Sequence, residues 1–215
     1  MALMTEQGKP LPFRYKLASR LARLLVGLLL YGASIQFMIA SRLGNQPWSV
    51  LDQGIARHTG LTVGTIVVIV AGLVLICWIP LRQWPGLGTI ANMLIIGPSV
   101  DLTARFLPEP HAMLPRISYM VVGVLLCAVA TGLYIGAQFG PGPRDGLMTG
   151  LARRGLSIRL ARTLIEITVV ALGFLLGGTF GAGTILFAVA IGPLAQIFLP
   201  VFAVRRAPEP IPQPA

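Results

Sequence analysis

Apolar residues fill six stretches of this chain, 21–41, 62–81, 87–107, 117–139, 160–178 and 182–204, without the period-two alternation of a half-buried strand. Each is roughly 17 to 25 residues long, enough for an α-helix to cross the hydrocarbon layer. Backbone groups in lipid must be bonded within the protein, so a spanning segment is a helix or a barrel strand, and barrel strands alternate. The pattern predicts an all-α polytopic membrane protein with six transmembrane helices.

The stretches form two sets of three that repeat one pattern at a displacement of 95 to 96 positions. Gly44, Pro47, Leu51, Gly54, Ala56 and Arg57 return as Gly140, Pro143, Leu147, Gly150, Ala152 and Arg153. After a one-residue gap, Gly60 and Leu61 return as Gly155 and Leu156, Gly86, Gly88, Thr89 and Ile90 as Gly181, Gly183, Thr184 and Ile185, and Ile96, Gly97 and Pro98 as Ile191, Gly192 and Pro193. An odd number of crossings per copy inverts the second copy in the bilayer relative to the first. The organisation expected is a basic amino-terminal segment over 1–20, a first three-helix repeat over 21–108, a second over 117–204 and a disordered, Pro-rich tail over 205–215. The first apolar run is longer than the core of a cleavable signal peptide, and Gly27, Leu29 and Leu30 return as Gly123, Leu125 and Leu126, so it reads as the first helix of the mature protein.

Composition agrees: 55% of the 215 residues are hydrophobic and 11% charged, where a soluble domain carries about a quarter charged. The net charge of +10 raises the question of nucleic acid, but the basic residues sort by side. Thirteen of the 17 Lys and Arg fall on the side of the amino terminus, and only Arg42, Arg57, Arg105 and Arg116 fall on the other. That asymmetry places both termini in the cytoplasm. With contacts to anionic lipid heads it accounts for the charge, and no nucleic-acid partner is expected.

The two longest connections, 42–61 and 140–159, hold equivalent places in the two copies. Each carries a Gly/Pro turn and a short helix-like stretch, 49–57 and 145–153, with Ser49 and Asp145 as the expected N-caps. Trp78 and Trp84 are expected at the inner interface and Trp48 at the outer one. Cys77 and Cys127 lie within spans and read as packing residues, with no spacing that fits a metal.

The order Pro47-Trp48-Ser49-Val50-Leu51, Gly60-Leu61-Thr62, Pro85-Gly86-Leu87-Gly88-Thr89 and Gly140-Pro141-Gly142-Pro143-Arg144-Asp145-Gly146 resembles the YczE/YitT-type group of bacterial integral membrane proteins, over about residues 20–204. The resemblance implies a multi-pass protein of the bacterial cytoplasmic (inner) membrane and brings no settled activity with it. The first loop in that group often reads Pro-Trp-Asp, and Ser49 stands at the Asp position here.

Ionisable groups within a bilayer are costly and mark either pathways or mutual pairs. Glu166 lies two turns into the fifth span, one turn beyond Arg162. Asp101 lies in the outer half of the third, and the repeat sets it opposite Gln196, each three residues after a Gly-Pro pair. A proline there frees a carbonyl beside a polar side chain. Asp101, Gln196, Glu166, Arg162, Gly97, Pro98, Gly192 and Pro193 are therefore the candidate lining of a substrate or ion pathway. On the competing reading, Arg162 with Glu166 and Asp101 with Arg105 neutralise each other within their helices, and Gly132, Gly136, Gly140, Gly173 and Gly177 mark close helix packing. The turn holding Gly140, Gly142, Arg144, Asp145 and Gly146 can present backbone N–H groups to an anion, although a connection between spans needs no ligand.

No catalytic set emerges. His58 and His111 fall in loops, no two carboxylates share a helix face and no phosphate-binding loop is present. Neither an enzyme nor a cofactor nor a metal is expected. The expectation is a small secondary transporter or permease-like protein for an unidentified small molecule, by analogy with inverted repeats built on interrupted helices. The alternative is a non-transporting scaffold or modulator of another membrane system. The lipid bilayer is the first partner, and a homo-oligomer or a membrane partner protein is compatible with either reading.

Overall fold

The computed structural model describes residues 12–204, all of whose regular elements are α-helices. They are α1 Leu17–Ser41, α2 Pro47–Thr59, α3 Val63–Leu81, α4 Leu87–Phe106, α5 Met113–Gly136, α6 Pro143–Ala152, α7 Ile158–Leu175 and α8 Ala182–Phe202. The tail over 205–215 and positions 1–11 lie outside the described residues. Five helices, α1, α3, α4, α5 and α8, are long and apolar enough to cross a membrane. Six were expected. The remaining long helix, α7, has 18 residues and carries Arg159, Arg162 and Glu166. Large apolar side chains such as Leu73, Ile79, Leu94 and Val189 cover the outward faces, as a hydrocarbon solvent requires. The chain is an all-α polytopic membrane protein.

The two helix-like loop stretches are helices, α2 and α6, and each starts two residues earlier than its expected N-cap. Pro47 and Pro143 occupy the first helical turn, where a proline ring presets φ and its missing N–H costs nothing. Ser49 and Asp145 are consequently not caps. The N-caps are Gln46 and Gly142, and neither makes a side-chain capping bond.

The centre of the molecule is the crossing of α1 and α5. Gly27 lies against the backbone of Ala130 and Tyr134, and Gly123 against Ser34 and Met38, so closely that neither position has room for a Cβ. Small residues let backbones approach where no hydrophobic drive exists between helices in lipid. Outside this pair, Gly32 seats Ser99 of α4, whose hydroxyl donates to the Leu29 carbonyl at 2.7 Å. Gly132 and Gly136 seat Phe198 and Phe202 of α8.

The same contacts recur at the displacement seen in the sequence. Arg20 donates from Nε to the Ala137 carbonyl at 2.8 Å and from Nη2 to that of Gln138 at 3.0 Å. Arg116 donates from Nε to the Ser41 carbonyl at 2.8 Å and from Nη2 to that of Arg42 at 3.2 Å. Each arginine thus closes the carbonyl end of the other's long helix, where acceptors are left free and the helix dipole favours a cation. Arg42 and Gln138 both have φ 56. Gly44 at φ +129 and Gly140 at φ +114 then turn the chain in a region that only glycine enters readily. Gly44 lies against Gly181 and Thr184, Gly140 against Gly86 and Thr89.

The short helices tuck between the halves, α2 against α7 and α3, α6 against α3 and α7. Gly173 lies on the backbone of Val50 and Leu51, and Gly146 lies on the Trp78 indole, which donates to the Pro143 carbonyl at 3.0 Å. Trp48 and Trp78 are therefore core residues, 8% and 2% exposed, while Trp84 is 90% exposed. They fill the space under the short helices, together with Ile66, Val70, Val74 and Val169. The halves differ in one respect. Gly64 of α3 lies directly on Gly97 of α4, whereas a Cβ at Gly192 would meet nothing within 4 Å, and α7 barely touches α8.

Removing either arginine latch should destabilise the protein. Hydrogen bonds from a charged donor contribute about 1.5–3 kcal/mol each, so Arg116→Gln is expected to lower stability by a few kcal/mol, measured by unfolding in detergent. Arg20→Gln is expected to cost more, because Arg20 also lies over the Phe139 ring, 4.2 Å from its centroid.

Candidate functional site at the polar centre

The first turns of α2 and α6 face each other across a gap that their own side chains fill. Arg144, second residue of α6, lies over the Trp48 ring, 4.9 Å from its centroid. Its Nη2 donates to Asp52 Oδ2 at 2.9 Å. Asp52 is fully buried and the Arg144 side chain 17% exposed. Of the five N–H donors of a guanidinium, this is the one Arg144 bonds to protein among the described residues. Beside it, Asp145 accepts from the Tyr134 hydroxyl at 2.7 Å. On the α2 side, Asn45 Nδ2 donates to Gln53 Oε1 at 2.9 Å, and the same oxygen accepts from the Thr179 N–H at 2.7 Å.

Around this pair, polar atoms are left without partners. Asn45 Oδ1, Gln46 Nε2, Trp48 Nε1, Ser49 Oγ and Asp52 Oδ1 are all buried and none has a hydrogen-bond partner. Each such atom costs about 1–3 kcal/mol when nothing satisfies it, so a run of them within eight residues calls for a partner such as ordered water. A cavity of about 40 Å³ opens beside Arg144, lined also by Tyr31, Asn92, Tyr134, Gly142 and Asp145. Asp52 sits on α2, outside the spanning helices, and burial pushes its carboxyl up to about 6 against the opposing pull of Arg144.

Of the residues singled out in the sequence, the loop set comes together here. Arg144 and Asp145 carry the polar centre, Gly142 lines the cavity, Gly140 makes the turn and Gly146 seats α6 on Trp78. The pathway set is dispersed. Asp101 accepts from the Gly64 N–H at 2.9 Å and from the Thr62 hydroxyl at 2.6 Å. It therefore caps α3 instead of pairing with Arg105, and with Arg105 and Pro98 it lines a groove of about 550 Å³ along α3 and α4. Glu166 pairs with Arg162 at 2.8 Å, with side chains 26% and 50% exposed. Gln196 and Pro193 are exposed on α8, Gly97 packs on α3, and Gly192 stands open. Sequence reasoning missed Asn45, Gln46 and Asp52 altogether and gave Trp48 and Ser49 other roles. The signal for them is the repeat, which sets Trp48 opposite Arg144 and Ser49 opposite Asp145, and the first of these pairs meets in the fold.

The carboxyl of Asp52 gives the fold a pH dependence. Because its folded value lies above the ordinary 3.8, the folded state holds a proton that the unfolded state has released. Stability should therefore be highest below about pH 4 and fall as pH rises to about 6, by on the order of 3 kcal/mol at most. Unfolding midpoints across that window are expected to lose this slope in Asp52→Asn.

Residues 18–200 match the model of a family described as a family of unknown function, DUF6198, from the start of α1 to the last turn of α8. The chain is 41% identical over 181 residues to an uncharacterized protein of Haemophilus influenzae, covering 84% of this chain and 83% of that one. It is 31% identical over 177 residues to the uncharacterized membrane protein YczE of Bacillus subtilis, covering 81% and 82%. To the uncharacterized protein YyaS of Bacillus subtilis it is 28% identical over 183 residues, covering 82% and 90%. No solved structure matches. The loop motifs that resemble the YczE-type group lie within the matched region, and the chain belongs to the DUF6198 family of membrane proteins.

Proposed function

We propose that the protein is a small secondary transporter or permease-like protein, built as two inverted three-helix repeats, with α7 as the sixth crossing. The observation that carries this reading is the buried polar centre, an ion pair and five unpartnered polar atoms held between helices that are otherwise apolar. Its position supports the same reading. Trp48 and Arg144 are mates in the repeat and touch each other, and mates can touch only beside the axis that relates the two copies. Interrupted helices that begin at such an axis, as α2 and α6 do, are the usual site builders of inverted-repeat transporters.

The parting of α7 from α8 supplies an entrance on this reading. Val67 and Ala71 line the central cavity in the first half, and their mates in the second are Arg162 and Glu166. On this reading these two line the entrance between α7 and α8, while Asp101 and Gly97 join α3 to α4 and Gln196, Pro193 and Gly192 lie on the open face of α8. The scaffold reading draws its support from the small size of the cavity. A solute-binding protein that moves nothing across a bilayer would favour it.

Uptake of pooled labelled metabolites into proteoliposomes tests the proposal. The wild type is expected to accumulate at least one solute, and Glu166→Gln, folded and inserted, to lose most of that uptake. For orientation in the inner membrane, both termini are placed in the cytoplasm. In a Cys-free background, a membrane-impermeant thiol reagent added to whole cells is expected to label His58→Cys and to spare Arg153→Cys, both at exposed positions. The reverse pattern overturns the orientation.

A further inference from the structure

We propose that the groove along α3 and α4 is a site for one phosphatidylethanolamine molecule, with its phosphate on Arg105, its ammonium on Asp101 and an acyl chain laid over Val68, Ile69, Pro98 and Leu102. The inference goes beyond the transport reading and does not depend on it.

The observation that carries it is a cation left without a partner. Asp101 and Arg105 stand one turn apart on α4, the spacing of a helical ion pair. The carboxylate turns instead to the start of α3, where Oδ1 accepts from the Gly64 N–H at 2.9 Å and Oδ2 from the Thr62 hydroxyl at 2.6 Å. Arg105 is thereby left exposed, with no hydrogen bond or ion pair to any described residue. It lines the groove in the last turn of a helix long and apolar enough to cross a membrane. A guanidinium at the edge of hydrocarbon is costly unless it meets water or an anion. The anion found at that depth is a lipid phosphate, whose oxygens match the paired N–H groups of arginine.

The rest of the groove selects the lipid. It holds about 550 Å³, within the range of small-molecule sites, about 300–1,000 Å³, so it encloses a headgroup and part of a chain instead of a whole lipid. The two helices run antiparallel with Gly64 on Gly97, so Thr65, Asp101 and Arg105 stand toward the membrane edge while Val68, Ile69 and Pro98 lie deeper. Ile69 is 45% and Leu102 52% exposed, open to a chain lying against them. The headgroup must also suit Asp101. A carboxylate has about four lone-pair sites, and Gly64 and Thr62 take one each. In phosphatidylethanolamine an ammonium rich in N–H donors lies two carbons beyond the phosphate, a span that bridges one helical turn from Arg105 to Asp101. Each side chain then faces its opposite charge, and the filled site is neutral. A choline headgroup has no N–H to donate, and phosphatidylglycerol supplies no cation for Asp101.

The test is native mass spectrometry of the purified, delipidated full-length protein in detergent, titrated with the dioleoyl forms of phosphatidylethanolamine, phosphatidylcholine and phosphatidylglycerol. The first phosphatidylethanolamine is expected to bind at least about fivefold tighter than either of the others, the scale of one partly exposed charge pair. Arg105→Gln removes the phosphate contact and is expected to weaken all three lipids by about the same factor. Its unfolding midpoint in lipid-free detergent is expected to stay at the wild-type value, because Arg105 bonds to no other described residue. Asp101→Asn keeps an acceptor for the start of α3 and is expected to bring phosphatidylethanolamine down to the affinity of phosphatidylcholine. Equal affinity of the wild type for the three lipids, tighter binding of phosphatidylglycerol than of phosphatidylethanolamine, or undiminished phosphatidylethanolamine binding by folded Arg105→Gln overturns the proposal. So does a phosphatidylethanolamine preference that survives in folded Asp101→Asn. If Asp101→Asn does not fold for want of the α3 cap, the wild-type ranking and Arg105→Gln decide.

Discussion

Everything in this fold hangs on the close crossing of α1 and α5. Without a Cβ at Gly27 and Gly123, the backbones of the two helices meet directly, and the Arg20 and Arg116 latches can then reach the carbonyl ends of the opposite helix. The latched ends fix Arg42 and Gln138 at positive φ, and those residues aim the turns at Gly44 and Gly140 back into the protein. The short helices α2 and α6 start from these turns. A wider crossing would move both starting points outward and pull the first turns of α2 and α6 apart, so the polar centre is a consequence of two glycines some twenty residues away from it in sequence.

That centre is poorly explained by stability. Replacing a buried ion pair by well-packed apolar residues is often neutral or stabilising by about 1–4 kcal/mol, and the unpartnered atoms from Asn45 to Asp52 add a further penalty. The surrounding cluster of Trp48, Val70, Val74, Trp78 and Val169 could accept apolar replacements. On the transport reading proposed above, a solute would satisfy them for part of the time.

The helices were legible because their chemistry is local. Unbroken apolar runs end at Gly and Pro, and the observed bounds of the long helices agree with the expected stretches to within about four residues. Even α2 and α6 were visible as helix-like stretches, and the turn chemistry around Arg144 drew attention to an anion. What sequence could not supply was the direction in which side chains point. Trp48 and Trp78 look like interfacial anchors by position, yet the tucked short helices turn those positions into core. Asp101 and Arg105 are correctly spaced for an ion pair, but the free N–H groups at the start of α3 compete for the carboxylate and hold it. Asp52 lies in what reads as a loop, and only the folding of that loop into the protein makes its burial apparent.

The unequal packing of the two halves is written into the repeat itself. Where α3 has Gly64, Val67 and Ala71, α7 has Arg159, Arg162 and Glu166, and where α4 has Asp101, α8 has Gln196. Gly64 lets α3 lie on α4, and Asp101 then ties the two together by capping α3. In the second half Ser157 caps α7 by accepting from the Leu160 N–H, as its mate Thr62 caps α3 by accepting from the Thr65 N–H, and among the described residues no side chain of α8 adds a second bond. An arginine at the Gly64 position cannot lie in a groove shaped for glycine. The separation of α7 from α8 is thus not one of two interchangeable arrangements that both halves could adopt. It follows the long charged side chains on α7, which stand where α3 carries Gly64, Val67 and Ala71.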